Sequence, residues 1–207
     1  MPWLSPCPTY TAFNGRDIAP RLLRSADLKT FEVSVLRGPA AHNKGMALFP
    51  RPIGKRQFAL CRTDGVTTAL TSSVDGHDWE EPVDLHAPER SWELVQVGNC
   101  GSPIETPAGW LVLTHGVGPM RTYRIGAMLL DLHRPERIIA TLPDPLLSPS
   151  IDERNGYVPN VVYSCGGLIH NGRLWLAYGM SDQRTAFAST DLHMLLDRLR
   201  YSGTSES

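Results

Sequence analysis

Five ionisable residues stand at the ends of strand-like runs: Lys44, Arg62, Glu105, His115 and Asp182. Their types span the chemistry of an anion or sugar site. Arginine offers a planar fork for bidentate contact and lysine a point charge. A carboxylate can serve as a base or hold a hydroxyl, and an imidazole can do either or bind an anion. Each residue also has a plain structural reading. Lys44, between Asn43 and Gly45, suits a solvated turn, and Arg62 suits an ion pair at a blade edge. Glu105 lies in a Pro-rich turn, where a surface carboxylate is ordinary. His115 follows the apolar run Trp110–Leu113 and precedes Gly116, so it also fits a satisfied core histidine. Asp182, in Gly179-Met180-Ser181-Asp182, fits a turn.

The elements that would position these groups announce themselves through a recurring phrase: a strand-like run, Ser-x-Asp, then a bulky apolar residue. It reads Ser25-Ala26-Asp27 with Phe31, Ser73-Val74-Asp75 with Trp79, and Ser189-Thr190-Asp191 with Met194. A degenerate copy keeps Asp131 and the turn His133-Arg134-Pro135 but has lost the serine. A loose period of roughly 50 residues with short strands and turns is the mark of a β-propeller, one blade per unit. Ser and Asp fit the strand-ending turn because they hydrogen-bond to nearby backbone. Accidental Ser/Asp turns are the bland alternative.

Short β-rich runs at Gln57–Cys61, Leu70–Ser72, Trp110–Thr114, Gly126–Leu130, Val161–Ser164 and Leu174–Tyr178, with frequent Gly and Pro between them, agree with an all-β fold. One helix is predicted, over residues 191–199, with Asp191 as N-cap and apolar residues at helical spacing. The tail Tyr201–Ser207 is small and polar and should fray.

The composition is that of a globular protein, and the 207 residues imply a single domain. Net charge is −1, which gives no electrostatic case for nucleic acid or an anionic membrane. No apolar run approaches the 18 residues of a span, and the N-terminus lacks a signal-peptide pattern, so a cytoplasmic location is expected. Cys7, Cys61, Cys100 and Cys165 are scattered without a CxxC pair, which implies free thiols and no metal site.

Three stretches go beyond a generic propeller. They are Asn43-Lys44-Gly45-Met46-Ala47-Leu48-Phe49-Pro50 with a following strand ending at Arg62; Gly98-Asn99-Cys100-Gly101-Ser102-Pro103-Ile104-Glu105-Thr106 running on to His115-Gly116-Val117; and Tyr157-Val158-Pro159-Asn160-Val161-Val162-Tyr163-Ser164-Cys165-Gly166-Gly167, followed by Tyr178-Gly179-Met180-Ser181-Asp182. Their order and context resemble glycoside hydrolase family 130, five-bladed propellers acting on β-mannosides, mostly as inverting phosphorylases and in part as hydrolases. The likeness runs from about Tyr10 to Leu199. It implies a partial propeller of three and a half to four blades with a short C-terminal helix, lacking the first blade.

The resemblance also implies a gap. Family members carry a proton-donating aspartate in an Asp-Pro-Arg phrase just before the strand equivalent to Tyr10-Thr11-Ala12-Phe13. Met1-Pro2-Trp3 stands there instead, through a truncated paralogue or a misassigned start. Asp17 after Gly15-Arg16 reads as a hairpin-turn residue rather than a substitute. A missing blade would bare apolar surface at residues 1–13 and on the last blade, so homo-oligomerisation is expected.

Among the candidates, the resemblance puts Lys44 and Arg62 where phosphorylases hold phosphate, with Asn43 beside them. It gives His115 a sugar- or anion-binding role and Asp182 a hold on sugar hydroxyls. Tyr123 and Arg124 would line the same mouth, or pack on a strand face. Phosphorylases commonly carry lysine where this chain has Glu105; a carboxylate there would repel phosphate and activate water as a base. The expected function is therefore inverting hydrolysis of a β-mannoside oligosaccharide with Glu105 catalytic. Phosphorolysis with inorganic phosphate and a non-catalytic carbohydrate-binding remnant are the alternatives. No cofactor is implied, since both reactions use only carboxylates or phosphate.

Overall fold

The computed structural model describes residues 8–203 and folds them into four antiparallel sheets arranged as propeller blades. The phrase Met1-Pro2-Trp3 and the tail beyond Gly203 lie outside the described residues. The first blade contains β1 (Thr9–Phe13), β2 (Ile18–Arg24) and β3 (Glu32–Val35). The second runs β4 (Ala47–Leu48), β5 (Gln57–Cys61), β6 (Thr68–Ser73) and β7 (Val83–His86) in spatial order. In the third, β8 (Gln96–Asn99) and β9 (Ile104–Thr106) share one edge of β10 (Gly109–Val117), followed by β11 (Tyr123–Leu130) and β12 (Ile138–Thr141). In the fourth, β13 (Val162–Tyr163) and β14 (Gly167–His170) both pair with β15 (Arg173–Met180), which pairs on its other side with β16 (Arg184–Asp191). The helix α1 (Leu192–Gly203) follows and packs on β12.

The strand period of two decides how the blades stack. On β5, Ala59 and Cys61 join Leu22, Leu36 and Trp79 in a core between the first two blades. Leu60 on the same strand faces the other way and joins Phe49, Trp110, Val112 and Met128 between the second and third blades. On β10 the alternation repeats: Leu111 and Leu113 point away from Trp110 and pack with Leu174, Leu176 and Val162 of the fourth blade. The two inner blades are therefore buried on both faces.

Backbone links stitch neighbours together: the Arg37 amide donates to His77, the Trp79 amide to Arg37, the Val97 amide to Val66, and the Tyr123 amide to Asn160. Burying a large apolar side chain contributes about 1.5–3 kcal/mol, so the fully buried Trp79 and Trp110 are major anchors.

The Ser-x-Asp turns form as expected. The Asp27 carboxylate accepts from the Lys29 and Thr30 amides, Asp75 from His77 and Asp78, and Asp131 from His133 and Arg134. Asp191 caps α1 through the Met194 amide, and the helix continues four residues past the predicted end. The bulky residue of the phrase is another matter. Trp79 is buried in the cluster with Leu22, Leu36 and Ala40, whereas Phe31 and Met194 are exposed. Phe31 belongs to the first blade and Met194 to the first turn of α1, so neither meets the neighbouring blade that Trp79 has. Asp17 sits in a hairpin turn whose amide donates to the Asn14 side chain. Among the described residues Cys61, Cys100 and Cys165 are free thiols, and no helix is long and apolar enough to cross a membrane.

The outer faces of the end blades are bare. Tyr10, Val33 and Val35 are exposed on the first blade, and Leu168, Trp175 and Phe187 on the fourth. A cleft of about 380 Å³ runs along the latter three with Cys165 and Ala177. Contiguous apolar surface of this kind drives association. Replacing Leu168 and Phe187 together with Asp should therefore raise the soluble, non-aggregated fraction in size-exclusion chromatography without lowering the thermal midpoint.

Candidate active site

Where the second, third and fourth blades meet, the ends of β5, β8, β10 and β13 bring a group of side chains together. Arg62, one residue past β5, extends to His115 on β10, and its Nη1 lies 3.3 Å from His115 Nε2. Nη2 donates to the Gly65 carbonyl, and among the described residues Nε has no hydrogen-bond partner. Tyr163 of β13 meets the imidazole edge-on at 5.2 Å, and Tyr123 of β11 stacks on it at 6.1 Å. Cys100 Sγ lies 3.9 Å from Nδ1. Asn43 donates its amide to Thr63, in the loop that follows Arg62, and adopts a left-handed backbone with φ of 63°.

Space for this grouping comes from glycine. A methyl group on Gly98 would sit 2.5 Å from both Arg62 Cδ and His115 Cε1, and one on Gly45 would sit 3.2 Å from Arg62 Cδ. At Gly98 the reason is room, since its backbone is not left-handed.

The electrostatics are lopsided. Arg62 is 3% exposed, yet among the described residues no carboxylate comes within ion-pairing distance of it. Burial pushes its pKa down, with the surrounding Tyr163, Tyr123 and Asp64 opposing. Burial, then the Arg62 charge, drops the His115 imidazole to about 3, so it is neutral at ordinary pH. Burial pushes the Cys100 thiol up to about 12 and the Tyr163 hydroxyl up to about 12, so neither supplies a negative charge. A second cation, Lys44, adds to the positive field at His115. A buried guanidinium with no ion-paired carboxylate among the described residues, and only the more distant Asp64 charge acting on it, suits an anion.

The structure thus brings together Asn43, Lys44, Arg62 and His115, and with them Tyr123. Asp182 is exposed in a left-handed turn after β15; the neighbouring Ser181 amide donates to Val161, at the start of β13. No hydrogen bond or ion pair joins Asp182 to Arg62 or His115 among the described residues. Glu105 is not in the group. It pairs with Trp110 across β9 and β10, five residues back along the strand from His115, roughly 17 Å at about 3.3 Å per residue. There it forms a bidentate ion pair with Arg51 at 2.6 and 2.8 Å, and Arg51 also lies over the Trp110 ring. Hydrogen bonds from Arg51 hold the Glu105 carboxyl below its ordinary range, which weakens it as a base.

Gly98, Tyr163 and Cys100 had no expected role, although all three lie in the phrases that flank the candidates. Among the described residues no group of three or more His, Cys, Asp or Glu side chains gathers as metal ligands would.

Comparison with known proteins shows the family of the chain. The family described as beta-1,4-mannooligosaccharide phosphorylase, glycoside hydrolase family 130, matches residues 9–201. A beta-1,2-mannobiose phosphorylase from Thermoanaerobacter sp. (strain X514) is 35% identical over 185 residues, covering 86% of this chain and 60% of that protein. A 1,2-beta-oligomannan phosphorylase from the same organism is 35% identical over 142 residues, 68% of this chain and 48% of its length. The chain thus spans about half to three-fifths of these relatives. Among solved structures, the beta-1,2-mannobiose phosphorylase from Listeria innocua in complex with beta-1,2-mannobiose superposes with a TM-score of 0.81 at 27% identity, over 93% of this chain and 56% of that one.

Two outcomes follow from the geometry. Gly98→Ala should cost about 1–3 kcal/mol of unfolding free energy in urea titration, because buried neighbours cannot yield to an added methyl. His115, neutral when folded and with an ordinary pKa of 6.5 when unfolded, contributes stability that is full above pH 6.5 and is lost as the pH falls towards 3. The slope should reach about 1.4 kcal/mol per pH unit, and His115→Asn should flatten it.

Proposed function

The chain belongs to glycoside hydrolase family 130, and we propose that it serves the phosphorolysis of β-mannosides, with Arg62 and Lys44 holding the phosphate. The observation that carries this reading is the buried Arg62 guanidinium with no carboxylate beside it. Arginine matches phosphate oxygens with a fork of N–H groups, and Lys44 adds a point charge. At an effective dielectric near 20, each unit charge about 4 Å from the anion contributes about 4 kcal/mol before screening.

In inverting phosphorolysis a phosphate oxygen attacks the anomeric carbon from the face opposite the leaving oxygen. That bond breaks as an acid protonates the leaving group, and mannose 1-phosphate is released. The cluster suits the nucleophile's side of this reaction. Among the described residues no carboxylate lies within hydrogen-bonding distance of Arg62 or His115 to act as the acid. Hydrolysis has weaker support, because its base would be Glu105. That carboxylate is bound to Arg51 and lies at the far end of β10.

The test is phosphate dependence. Titration of the purified chain with inorganic phosphate, followed by calorimetry, should show binding that Arg62→Met weakens at least tenfold and Lys44→Met weakens less. With β-1,2-mannobiose supplied, any turnover should release mannose 1-phosphate in proportion to phosphate. It should run about 10²–10⁴-fold below an enzyme with a positioned acid. Phosphate binding indifferent to Arg62→Met, or release of free mannose at a rate independent of phosphate, would return water as the nucleophile.

A further inference from the structure

We propose that His115 is the positioning residue of Arg62: its Nε2 accepts a hydrogen bond from Nη1 and aims the guanidinium while leaving the positive charge uncancelled. The proposal rests on the phosphate reading above and differs from the direct anion contact that the resemblance implied for this histidine.

Four observations carry it. Both ring nitrogens of the buried His115 already face protein groups, Nε2 the Arg62 guanidinium and Nδ1 Cys100 Sγ, so neither is offered to a ligand. Its Nε2 lies 3.3 Å from a guanidinium nitrogen, and a guanidinium has only donors, so Nε2 must be the acceptor. That places the proton on Nδ1, which faces Cys100 Sγ and the backbone of Asn99. Tyr123 and Tyr163 fix the ring plane from two sides, and the missing side chain at Gly98 lets ring and guanidinium stem share one volume.

A carboxylate is the usual partner that orients a buried arginine, but it would neutralise the guanidinium and repel phosphate. An imidazole with a free lone pair orients Nη1 without either penalty. The groups facing His115 keep it in that state: Arg62 and Lys44 are cationic, Cys100 and Tyr163 hold their protons at neutral pH, and Tyr123 presents its ring. The Asp64 charge also acts on Arg62, but its carboxylate is taken by the Val66 and Thr67 amides.

The experiment uses the full chain in two parts. Nitrogen-15 NMR of the wild-type imidazole reads the contact without any ligand. At pH 7 the His115 signals should report protonated Nδ1 and bare Nε2, with no titration until the pH falls below about 5. Protonated Nε2, or titration near 6.5, overturns the proposal. Inorganic phosphate titrated into variants reads the consequence. His115→Asn, which offers a neutral acceptor, should stay within several-fold of wild type. His115→Asp, of the same size but charged, should bind at least tenfold more weakly, and His115→Leu about ten- to a hundredfold more weakly through loss of a charge-assisted hydrogen bond.

A structural role alone would make all three variants track their thermal midpoints, with Asn and Asp alike; that result also overturns the proposal. Should His115→Leu fail to fold, the Asn and Asp pair still decides. If the wild-type chain binds no phosphate, the phosphate reading fails by itself. The mobility of the Arg62 Nε–H group in wild type and His115→Asn, by relaxation, then decides the aiming: similar order supports it, and disorder in wild type overturns it.

Discussion

Everything in this molecule hangs on the period-two alternation of its inner strands. A sheet buried on one face needs only every other residue to be apolar, and register errors there expose the core. The second and third blades are buried on both faces, so β10 runs from Gly109 to Val117 without an exposed residue. Trp110 and Val112 must meet one neighbour while Leu111 and Leu113 meet the other. That double commitment fixes the stagger between blades, and the stagger places His115 against Arg62. The polar residues Thr114, His115 and Gly116 close the strand where apolar packing gives way to the cluster.

The cluster itself inverts the usual handling of a buried charge. Proteins normally give a buried guanidinium a carboxylate partner, and removing one partner of such a pair is costly. Here Arg62 is surrounded by neutral hydrogen-bonding groups: an imidazole, the Gly65 carbonyl and two tyrosine rings close by. The electrostatic cost is stored in the folded state, and the proposed phosphate would relieve it. At the opposite end of β10, Arg51 and Glu105 show the ordinary solution, a paired and half-exposed ion bridge. The two arginines thus mark the two ends of one strand with opposite electrostatic designs.

Much of this was legible in the chain. The Ser-x-Asp turns are local chemistry, read from side chains that bond their own backbone, and they appear where the aspartates stand. Lys44, Arg62 and His115 stand out as candidates because they sit in phrases that the resemblance singles out. Glu105 lies apart from the other candidates for a reason that sequence distance hides. It lies only six residues after Asn99, but the chain crosses from β8 to β9 and travels down the edge of β10, away from the cluster. The exposure of Phe31 and Met194 was equally hidden, since a repeat in sequence says nothing about which copies have a neighbour. Gly98 and Tyr163 acquire meaning only through contacts across blades, one as a vacancy and the other as a ring from the next sheet.

Among the described residues the four blades are joined by three apolar interfaces, and the first and fourth each meet a described blade on one side only. In such a stack each unit's stability is set by the units it touches, and opening starts at the ends. The cluster straddles this gradient. Arg62 and His115 belong to the doubly buried inner blades, but Tyr163, which covers the imidazole, belongs to the terminal fourth. Loosening of that last blade would admit water to the His115 ring while its bond to Arg62 stayed intact. The Arg62–His115 contact is therefore tied to the fourth blade, and whatever steadies that blade also governs how dry the contact stays.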